Sequence, residues 1–544
     1  MPRIVLLVLF ACALPCVAQT VPVDSTAFGR CGAGQASLAV RSGTVATTLE
    51  NTGHLHWWGN LVIPAGSGIE AGGEATFAVA GTVNGDTLAA VTRNRSTEFF
   101  PGPLAYGVTP PEDCGRFDRI WYVTRADEGV NPESRTEDVE EWPVGLGAPY
   151  VEKNGRVGYQ PADGDYPAVR GDWQAWWILN DAGNVHPRTE SPRPLGVEVR
   201  MTAYGFDVPG VLGNALFYRF QVRNKNTSPI ADAYFGIRTA SDLGNFTDDY
   251  AGTDTSLGLK FYYNADDDDE GGYGPAPPAT GWFFLEAQGL DRDGTCSEGE
   301  SDWMPTSTME RFGGGGVRSR AYGVRGVYRA MTARFELGQP LLEGGVGYPG
   351  GLGGNPDRPI RYMYPGDPVT GAYWSEGNTR LPHGKINHPG SRGMWMSRGP
   401  FCLPPLGEAE FTVGLVWSRG SSNLDSVRKL REDVAFIRSN AGTILTPRNL
   451  QGEVPVEPET GGVFTVYPTP ARGLANVAAD VAEGSRVSLE VVDLLGRVMF
   501  ELEEQESLTG RVRFTLDTSR WVSGLYLVRL TERGRVHTRS LVVR

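Results

Sequence analysis

Short segments in which apolar and polar residues alternate recur along the chain, and each ends at Gly, Pro or Asn. Residues 75–80 and 87–92 are two such segments, and Asn84 and Gly85 between them are a strong hairpin signal. Because successive side chains of a strand point to opposite faces, alternation predicts strands with one buried face. Gly (72) and Pro (38) make up about a fifth of the 544 residues, which favours many turns between short strands. The sequence therefore predicts a mostly β fold.

A different spacing marks one helix late in the body. After the Ser, Ser and Asn of residues 421–423, which are typical N-cap residues, apolar side chains recur every three or four positions. This spacing places them on one face of a helix, so we expect one helix here. The predicted buried face consists of Leu424, Val427, Leu430, Val434 and Ile437. The clearest predicted strands of the body are residues 196–206, 215–223, 233–239, 282–287 and 410–417.

The first 18 residues have the pattern of a cleaved export signal. Arg3 precedes the apolar run of residues 4–10, and an Ala-rich stretch follows. A lipoprotein signal with Cys12 as the lipidated residue is the alternative, although its leader would be unusually short. No later segment has the roughly eighteen apolar residues that a membrane helix needs. We therefore expect no transmembrane segment in the mature chain.

Composition divides the rest of the chain. The Pro-, Gly- and Glu-rich residues 455–462 are typical of a linker, and no similar break occurs between residues 148 and 440. The predicted fold class is mostly β and multi-domain, with an N-terminal β-domain, a large β-rich central domain carrying the late helix, and a C-terminal Ig-like β-sandwich. The predicted boundaries are 1–18 for the signal peptide, 20–107 for the N-terminal domain, 108–147 for a connecting segment, 148–445 for the central domain, 446–462 for the linker and 463–544 for the C-terminal domain.

Four cysteines remain after the leader, namely Cys31, Cys114, Cys296 and Cys402. An even number in an exported chain predicts two disulfides, and four cysteines allow three pairings. Proximity in sequence favours Cys31 with Cys114 and Cys296 with Cys402.

Charge and one acidic segment point to divalent cations. The net charge of −14 argues against a nucleic-acid partner. Residues 242–254 contain four Asp side chains and one Asn side chain, and two glycines there allow the backbone to bend. Such hard oxygen ligands suit Ca²⁺, although the spacing is not that of an EF-hand, and a solvated acidic loop is the alternative. The predicted calcium ligands are Asp242, Asn245, Asp248, Asp249 and Asp254. Residues 266–270 and the group Asp163, Asp165 and Asp172 are further acidic candidates.

Aromatic residues and histidines leave two interpretations open. The aromatic residues are either a platform on which sugars stack or the core and rim of a β-sandwich. His54 and His56 share one strand face, where they either bind a metal or pack beside Trp57 and Trp58. The aromatic candidates are Trp173, Trp176, Trp177, Tyr262, Tyr263, Tyr273 and Trp282.

Four motifs follow one another in the last eighty or so residues. They are Tyr467, Pro468 and Pro470 in a Tyr-Pro-x-Pro-Ala opening, Asp493, Gly496 and Arg497 in an Asp-x-x-Gly-Arg turn, Gly524 and Tyr526 in a Ser-Gly-x-Tyr strand start, and an apolar-basic strand at residues 540–544. This segment resembles the type A C-terminal sorting domain of the type IX secretion system of Bacteroidetes and their relatives.

The resemblance implies a route and a location. We expect the C-terminal domain to bind the type IX secretion machinery, and the protein to be secreted or attached to the outer face of the outer membrane, with surface polysaccharide as an anchor. The order of motifs in residues 158–254 is also similar to that of large secreted cargo proteins of the same group. That second similarity implies no activity.

Two functions fit these patterns. The preferred hypothesis is an exported cell-surface or released β-protein of structural or adhesive type, stabilised by calcium and not an enzyme. The alternative is a secreted hydrolase or carbohydrate-binding protein acting on polysaccharide. A glycosidase would need two acids facing each other across a cleft, drawn from Asp163, Asp165, Asp172, Asp242, Asp248 and Asp249.

Overall fold

The computed structural model of the chain confirms a mostly β fold. It describes residues 31–94, 96–128, 135–153, 155–156, 158–288, 306–311, 323–349, 352–384, 387–447, 464–480, 486–493, 497–506, 511–532 and 535–543. The predicted signal peptide lies outside the described residues, as does most of the predicted linker.

The body contains short and long strands, and each strand segment predicted above coincides with one of them. They are β1 (Ser37–Ser42), β2 (Val45–Glu50), β3 (His54–His56), β4 (Ala75–Val83), β5 (Asp86–Arg93), β6 (Ser96–Thr97), β7 (Phe100–Pro101), β8 (Trp121–Thr124), β9 (Tyr150–Val151), β10 (Tyr166–Pro167), β11 (Trp173–Asn180), β12 (Val197–Gly205), β13 (Ala215–Asn224), β14 (Ile230–Ala240), β15 (Asp249–Asp254), β16 (Leu259–Asn264), β17 (Asp268–Asp269), β18 (Gly274–Pro275), β19 (Ala279–Gln288), β20 (Thr306–Arg311), β21 (Arg392–Leu403) and β22 (Glu408–Ser418).

Helices are few in the described part of the chain, and only α3 is longer than nine residues. They are α1 (Glu137–Glu140), α2 (Gly323–Met331), α3 (Asn423–Ser439) and α4 (Ala441–Leu445), with 3-10 turns at Gly115–Phe117, Arg125–Asp127, Val144–Leu146, Pro161–Asp163, Val211–Asn214 and Pro382–Gly384. Among the described residues, no helix combines the length and apolar character needed to cross a bilayer.

Two large antiparallel sheets make up the body. The larger sheet has the strand order β15-β16-β19-β22-β13-β12-β11-β7, with β8 also paired to β11. The smaller sheet has the order β20-β21-β14-β4-β5-β6, with β3 paired to β4. The described body also has separate two-stranded sheets, which pair β1 with β2, β9 with β10, and β17 with β18.

The main core lies between these two sheets. Phe77 of β4 and Phe220 of β13 have ring centroids 5.2 Å apart, and Phe235 of β14 stacks on Phe411 of β22 at 4.3 Å. All four rings are buried and come from opposite sheets. Facing sheets whose inner side chains interdigitate in this way define a β-sandwich.

A helix covers the outer face of each sheet. Helix α3 packs its buried Val427, Leu430, Val434 and Ile437 on the larger sheet, and the Ser422 side chain caps it by accepting from the backbone N–H of Asp425. The predicted helix and its buried face are therefore confirmed, with Leu424 only partly buried. Helix α2, which is not among the predicted elements, packs on the smaller sheet. The outer face of β11 is covered by the segment of residues 139–169, because Trp176 and Ile178 pack with Val139, Trp142 and Tyr166, and β11 is buried at every position.

The predicted boundary at residue 107 does not separate two sheets. Strand β4 pairs with β14, β7 pairs with β11, and β8 of the predicted connecting segment also pairs with β11. Every residue of β4 but one is buried, and a few short strands could not cover both of its faces by themselves. The segments 20–107, 108–147 and 148–445 thus contribute to one sandwich.

The C-terminal part has strands and a core of its own. The strands are β23 (Phe464–Arg472), β24 (Leu474–Asp480), β25 (Arg486–Asp493), β26 (Val498–Glu506), β27 (Arg511–Asp517), β28 (Gly524–Glu532) and β29 (Arg535–Val543), in the order β26-β25-β28-β29-β23-β24-β27. Strand β23 is antiparallel to β24 and parallel to β29, so it joins two groups of strands. Val487, Leu489 and Val491 alternate into the core. This arrangement is compatible with the predicted Ig-like sandwich.

One predicted disulfide is present. Cys31 is bonded to Cys114 across 83 residues of sequence, and their Cα atoms are 5.4 Å apart. Cys402 is also disulfide-bonded. Cys296 lies outside the described residues, so its pairing with Cys402 stays a prediction.

Candidate functional site

The Asp-x-x-Gly-Arg motif closes the hairpin between β25 and β26. The backbone N–H of Asp493 donates to the carbonyl of Arg497 at 3.0 Å, and the backbone N–H of Arg497 donates to Oδ1 of Asp493 at 3.0 Å. The Arg497 Nε donates to Asp493 Oδ2 at 2.7 Å. The Asp and the Arg are therefore needed because one carboxylate holds both the backbone and the side chain across the turn. Gly496 lies outside the described residues.

The other tail motifs lie on neighbouring strands. Gly524 begins β28, and Tyr526 is buried with its hydroxyl donating to the Val522 carbonyl at 2.6 Å. The Trp521 ring packs against Tyr526 at 5.0 Å between centroids. Residues 467, 468 and 470 (Tyr, Pro and Pro) lie in β23, and their side chains are outside the described part of the chain. The motifs thus mark a turn and strand positions of one small β-unit.

The acidic segment does not gather all its predicted calcium ligands at one point. Residues 249–254 form strand β15, so Asp254 lies about 17 Å along the strand from Asp249. Asp254 instead pairs with Arg431 at 3.2 Å and accepts from the hydroxyl of Ser256 at 2.6 Å. The structure therefore removes Asp254 from the predicted ligand group, because part of the segment is extended and not a loop.

Asp242 is satisfied by protein donors. Its Oδ2 accepts from the Trp58 indole N–H at 2.6 Å, and its Oδ1 accepts from the Ser391 hydroxyl at 3.1 Å. Asp242 has a positive φ of 39°, which places it at a sharp bend of the chain. These contacts give Asp242 a structural role at the junction of three segments.

Asn245, Asp248 and Asp249 lie against the turn that carries residues 264–273. The Ala265 backbone N–H donates to the Asp248 carbonyl at 2.8 Å, and the Asn245 backbone N–H donates to Asp269 Oδ1 at 2.9 Å. The Asn245 amide also donates to Asp248 Oδ2 at 3.2 Å. Asp269 is buried and lies at the centre of this contact. The spacing of the acidic residues along the sequence does not show that Asp269 lies beside Asn245, Asp248 and Asp249.

Two carboxylates of this cluster are poorly compensated. Oδ1 of Asp248 and Oδ1 of Asp249 are buried without a hydrogen bond of normal geometry among the described residues, although Asn264 and Ser241 lie nearby. Burial, and then the charge of Asp269, raises the pKa of Asp248 to about 6. Burial, with Asp242 and Asp248 nearby, raises the pKa of Asp249 well above its ordinary range. Two weakly satisfied oxygens therefore remain within an acidic cluster.

Acidic, His and Cys side chains alone do not complete a metal site among the described residues. No group of three or more Asp, Glu, His or Cys side chains there is arranged to hold a metal ion. A calcium ion at this cluster would therefore need oxygens of other kinds, such as the Asn245 amide or backbone carbonyls, beside Asp248 and Asp249.

The aromatic candidates belong to the core and do not form a sugar platform. All seven are buried, and Tyr218 and Trp282 stack within the sandwich at 6.0 Å. The histidines are packed in the same way. His56 is buried and stacks on Trp282 at 5.8 Å, and burial lowers its pKa to about 3. His54 lies 3.4 Å from buried Glu74.

The remaining acidic candidates have separate places. Asp163 is an exposed partner of Arg156 at 3.1 Å. Asp165 is buried and accepts from the backbone N–H groups of Lys153 and Gln160, both at 2.9 Å. Asp172 accepts from the backbone N–H of Asp207 at 2.7 Å. The three carboxylates thus have different partners.

Sequence comparison identifies the C-terminal unit. Residues 465–544 match the family described as "Secretion system C-terminal sorting domain". The chain is a type IX secretion cargo. The tail motifs described above, with the Asp493–Arg497 turn at their centre, are therefore the sorting domain of an exported protein. The match covers the tail and leaves the body outside it.

Other comparisons add little about the body of this cargo protein. No curated protein matches the chain in sequence. A solved polysaccharide lyase is similar with a TM-score of 0.23 and 8% identity, over 93% of this chain and 46% of that chain. Dimeric latent PorU from Porphyromonas gingivalis is similar with a TM-score of 0.15 and 9% identity, over 68% and 31%. The chain thus spans less than half the length of either structure, and at these TM-scores neither similarity defines the fold.

Proposed function

We propose that the body is a structural or adhesive module that works at the cell surface or after release, and that calcium stabilises it. The sorting domain supports work outside the cell. The use of the body's aromatic residues as core supports a structural role, because a ligand platform would leave ring faces open. Attachment to surface polysaccharide is part of this proposal.

The single observation that carries the calcium proposal is the pair of buried oxygens at Asp248 and Asp249. Each carboxylate loses hydration on burial, and the two charges repel each other. A divalent cation would offset both effects at once and hold residues 242–249 against the turn at 264–273. The proposed ligands are Asp248, Asp249 and the Asn245 side chain, without Asp254.

Thermal unfolding of the mature chain tests the proposal. We expect calcium at 100 times its Kd to stabilise the chain by about 2.7 kcal/mol relative to chelator. Asp248→Asn should abolish this response. Asp268→Asn is the matched control, because Asp268 is an exposed acid of the neighbouring turn. An unchanged melting temperature with calcium, or an equal loss of response in both variants, contradicts the proposal.

A further inference from the structure

An open cleft lies at one end of the larger sheet, away from the acidic cluster. It has a volume of about 890 Å³, which is within the usual range of small-molecule sites. The side chains that matter for its chemistry are Arg41, Tyr122, Arg125, Asp172, Trp173 and Asp207.

The backbone around the cleft is held in place by hydrogen bonds. The Arg125 N–H donates to the Asp172 carbonyl at 2.8 Å, and the Asp172 N–H donates to the Gly205 carbonyl at 2.8 Å. Gly171 packs so closely on the Gly205 carbonyl that a Cβ there would be 2.0 Å from its oxygen. The Ser42 hydroxyl donates to the Ala215 carbonyl at 2.8 Å and so holds the β1 wall in place. A cleft held in this way loses little conformational entropy when a ligand binds.

The walls of the cleft carry both positively and negatively charged side chains. Arg41 and Arg125 are exposed and form no salt bridge with another described residue, and the Arg41 Nε donates to the Gly43 carbonyl at 2.7 Å. Asp207 is exposed, and its backbone N–H donates to the half-buried Asp172 carboxylate at 2.7 Å. The walls therefore offer terminal guanidinium N–H donors and carboxylate acceptors with no net charge.

An aromatic pair lies between these charged groups. The Tyr122 ring stacks on Trp173 with centroids 6.0 Å apart and planes at 29°, and Tyr122 is only half-buried. The Trp173 indole N–H has no acceptor among the described residues. Burial and the carboxylates of Asp127 and Asp207 raise the pKa of Tyr122, so its hydroxyl stays protonated at neutral pH.

From this geometry we infer that the cleft binds an uncharged carbohydrate, with Arg41, Arg125 and Asp207 bonding its hydroxyl groups and Tyr122 contacting a ring face. Sugar hydroxyls both donate and accept, so they match walls that carry guanidinium and carboxylate groups together. An anionic ligand would meet Asp172 and Asp207, and a purely apolar ligand would leave four charges desolvated. This site does not depend on calcium and goes beyond the proposed structural role.

Binding of neutral hexasaccharides of glucose, mannose and galactose to the mature chain tests the inference, with a hexamer of galacturonate as the charged comparison. By calorimetry, we expect one neutral hexasaccharide to bind. Arg125→Ala and Tyr122→Ala should each weaken that binding at least tenfold. Arg156→Ala should leave it unchanged, because Arg156 is an exposed arginine paired with Asp163 away from the cleft.

The conservative variant Asp207→Asn guards against a folding defect, since it keeps size and shape. It should also weaken binding while the melting temperature stays within about one degree of that of the parent chain. Three outcomes overturn the inference: no neutral hexasaccharide binds, only the galacturonate hexamer binds, or the cleft variants bind as well as the Arg156→Ala control.

Discussion

Replacing Asp248 by Asn should stabilise the calcium-free protein at neutral pH, against the usual effect of a substitution at a partly buried position. Asp248 is ionised at pH 7.5 in a place that burial and the Asp269 carboxylate make unfavourable for charge. Asn keeps the shape and can still accept from the Asn245 amide, which donates to Oδ2 at 3.2 Å. The substitution therefore removes a charge and retains the contact.

The magnitude follows from the raised pKa. A change from 3.8 to about 6 corresponds to roughly 3 kcal/mol at 1.4 kcal/mol per pH unit. Because the carboxyl group is partly open to solvent, screening reduces this to about 1–2 kcal/mol. The sign is set by proton binding: the folded state binds the proton more tightly, so this group lowers the free energy of unfolding as pH rises from about 4 through 6. At pH 4 the advantage of Asn should shrink to less than about 0.5 kcal/mol.

Urea unfolding in chelator at pH 4, 5, 6 and 7.5 measures this difference directly. Asp268→Asn, with an exposed acid in the neighbouring turn, should differ from the parent chain by less than about 0.5 kcal/mol at every pH. Saturating calcium at pH 7.5 should reverse the order, so that the parent chain becomes the more stable. A pH-independent difference, or an Asn variant that is less stable in chelator at pH 7.5, would refute the electrostatic reasoning.

Three further predictions concern stability and export. Leu430→Ala removes a fully buried side chain between α3 and the larger sheet and should cost about 3 kcal/mol in urea unfolding, whereas exposed Lys429→Ala should change little; equal effects would contradict the assigned helix face. The double variant Cys31→Ala with Cys114→Ala opens a loop of 83 residues and should cost about 4 kcal/mol, and an unchanged urea midpoint would count against this closure. Asp493→Ala removes the acceptor of the tail turn and should destabilise the sorting domain by about 1 kcal/mol, with less protein outside the cell by immunoblot; unchanged export would show that the turn is dispensable.

Local structure was predictable where one periodicity dominates. Helix α3 has an N-cap and a long apolar face, so its bounds and buried side chains could be predicted. Helix α2 is nine residues long and contains two glycines, which disfavour helix in isolation. Its Val327, Ala330 and Met331 are buried against the smaller sheet. Val324, Val327, Tyr328 and Met331 do recur at helical spacing, but over only nine residues, so packing on the sheet has to offset the low helix propensity of the two glycines.

Strand pairing and site geometry were harder to predict for a related reason. Alternation shows that β4 has a buried face, but it does not say that the partner is β14, some 150 residues later. In the same way, residues 242–254 contain enough acids for a calcium loop, yet Ala251 and Thr253 are buried in β15 and carry Asp254 away from Asp249. The cleft was missed because its residues come from four distant segments.

The separation of sorting and function follows from how the two cores are built. The core of residues 464–543 consists of side chains from that segment alone, among them Leu489, Val528 and Leu541. In the body's two sheets, the last strand ends at residue 418, and the helix that covers the larger sheet ends at Ser439. In the described part of the chain neither core uses residues of the other, so the body's sheets there do not require the tail for their burial. The tail can therefore act as an export signal for a body whose proposed calcium cluster and proposed ligand cleft are built from quite different residues.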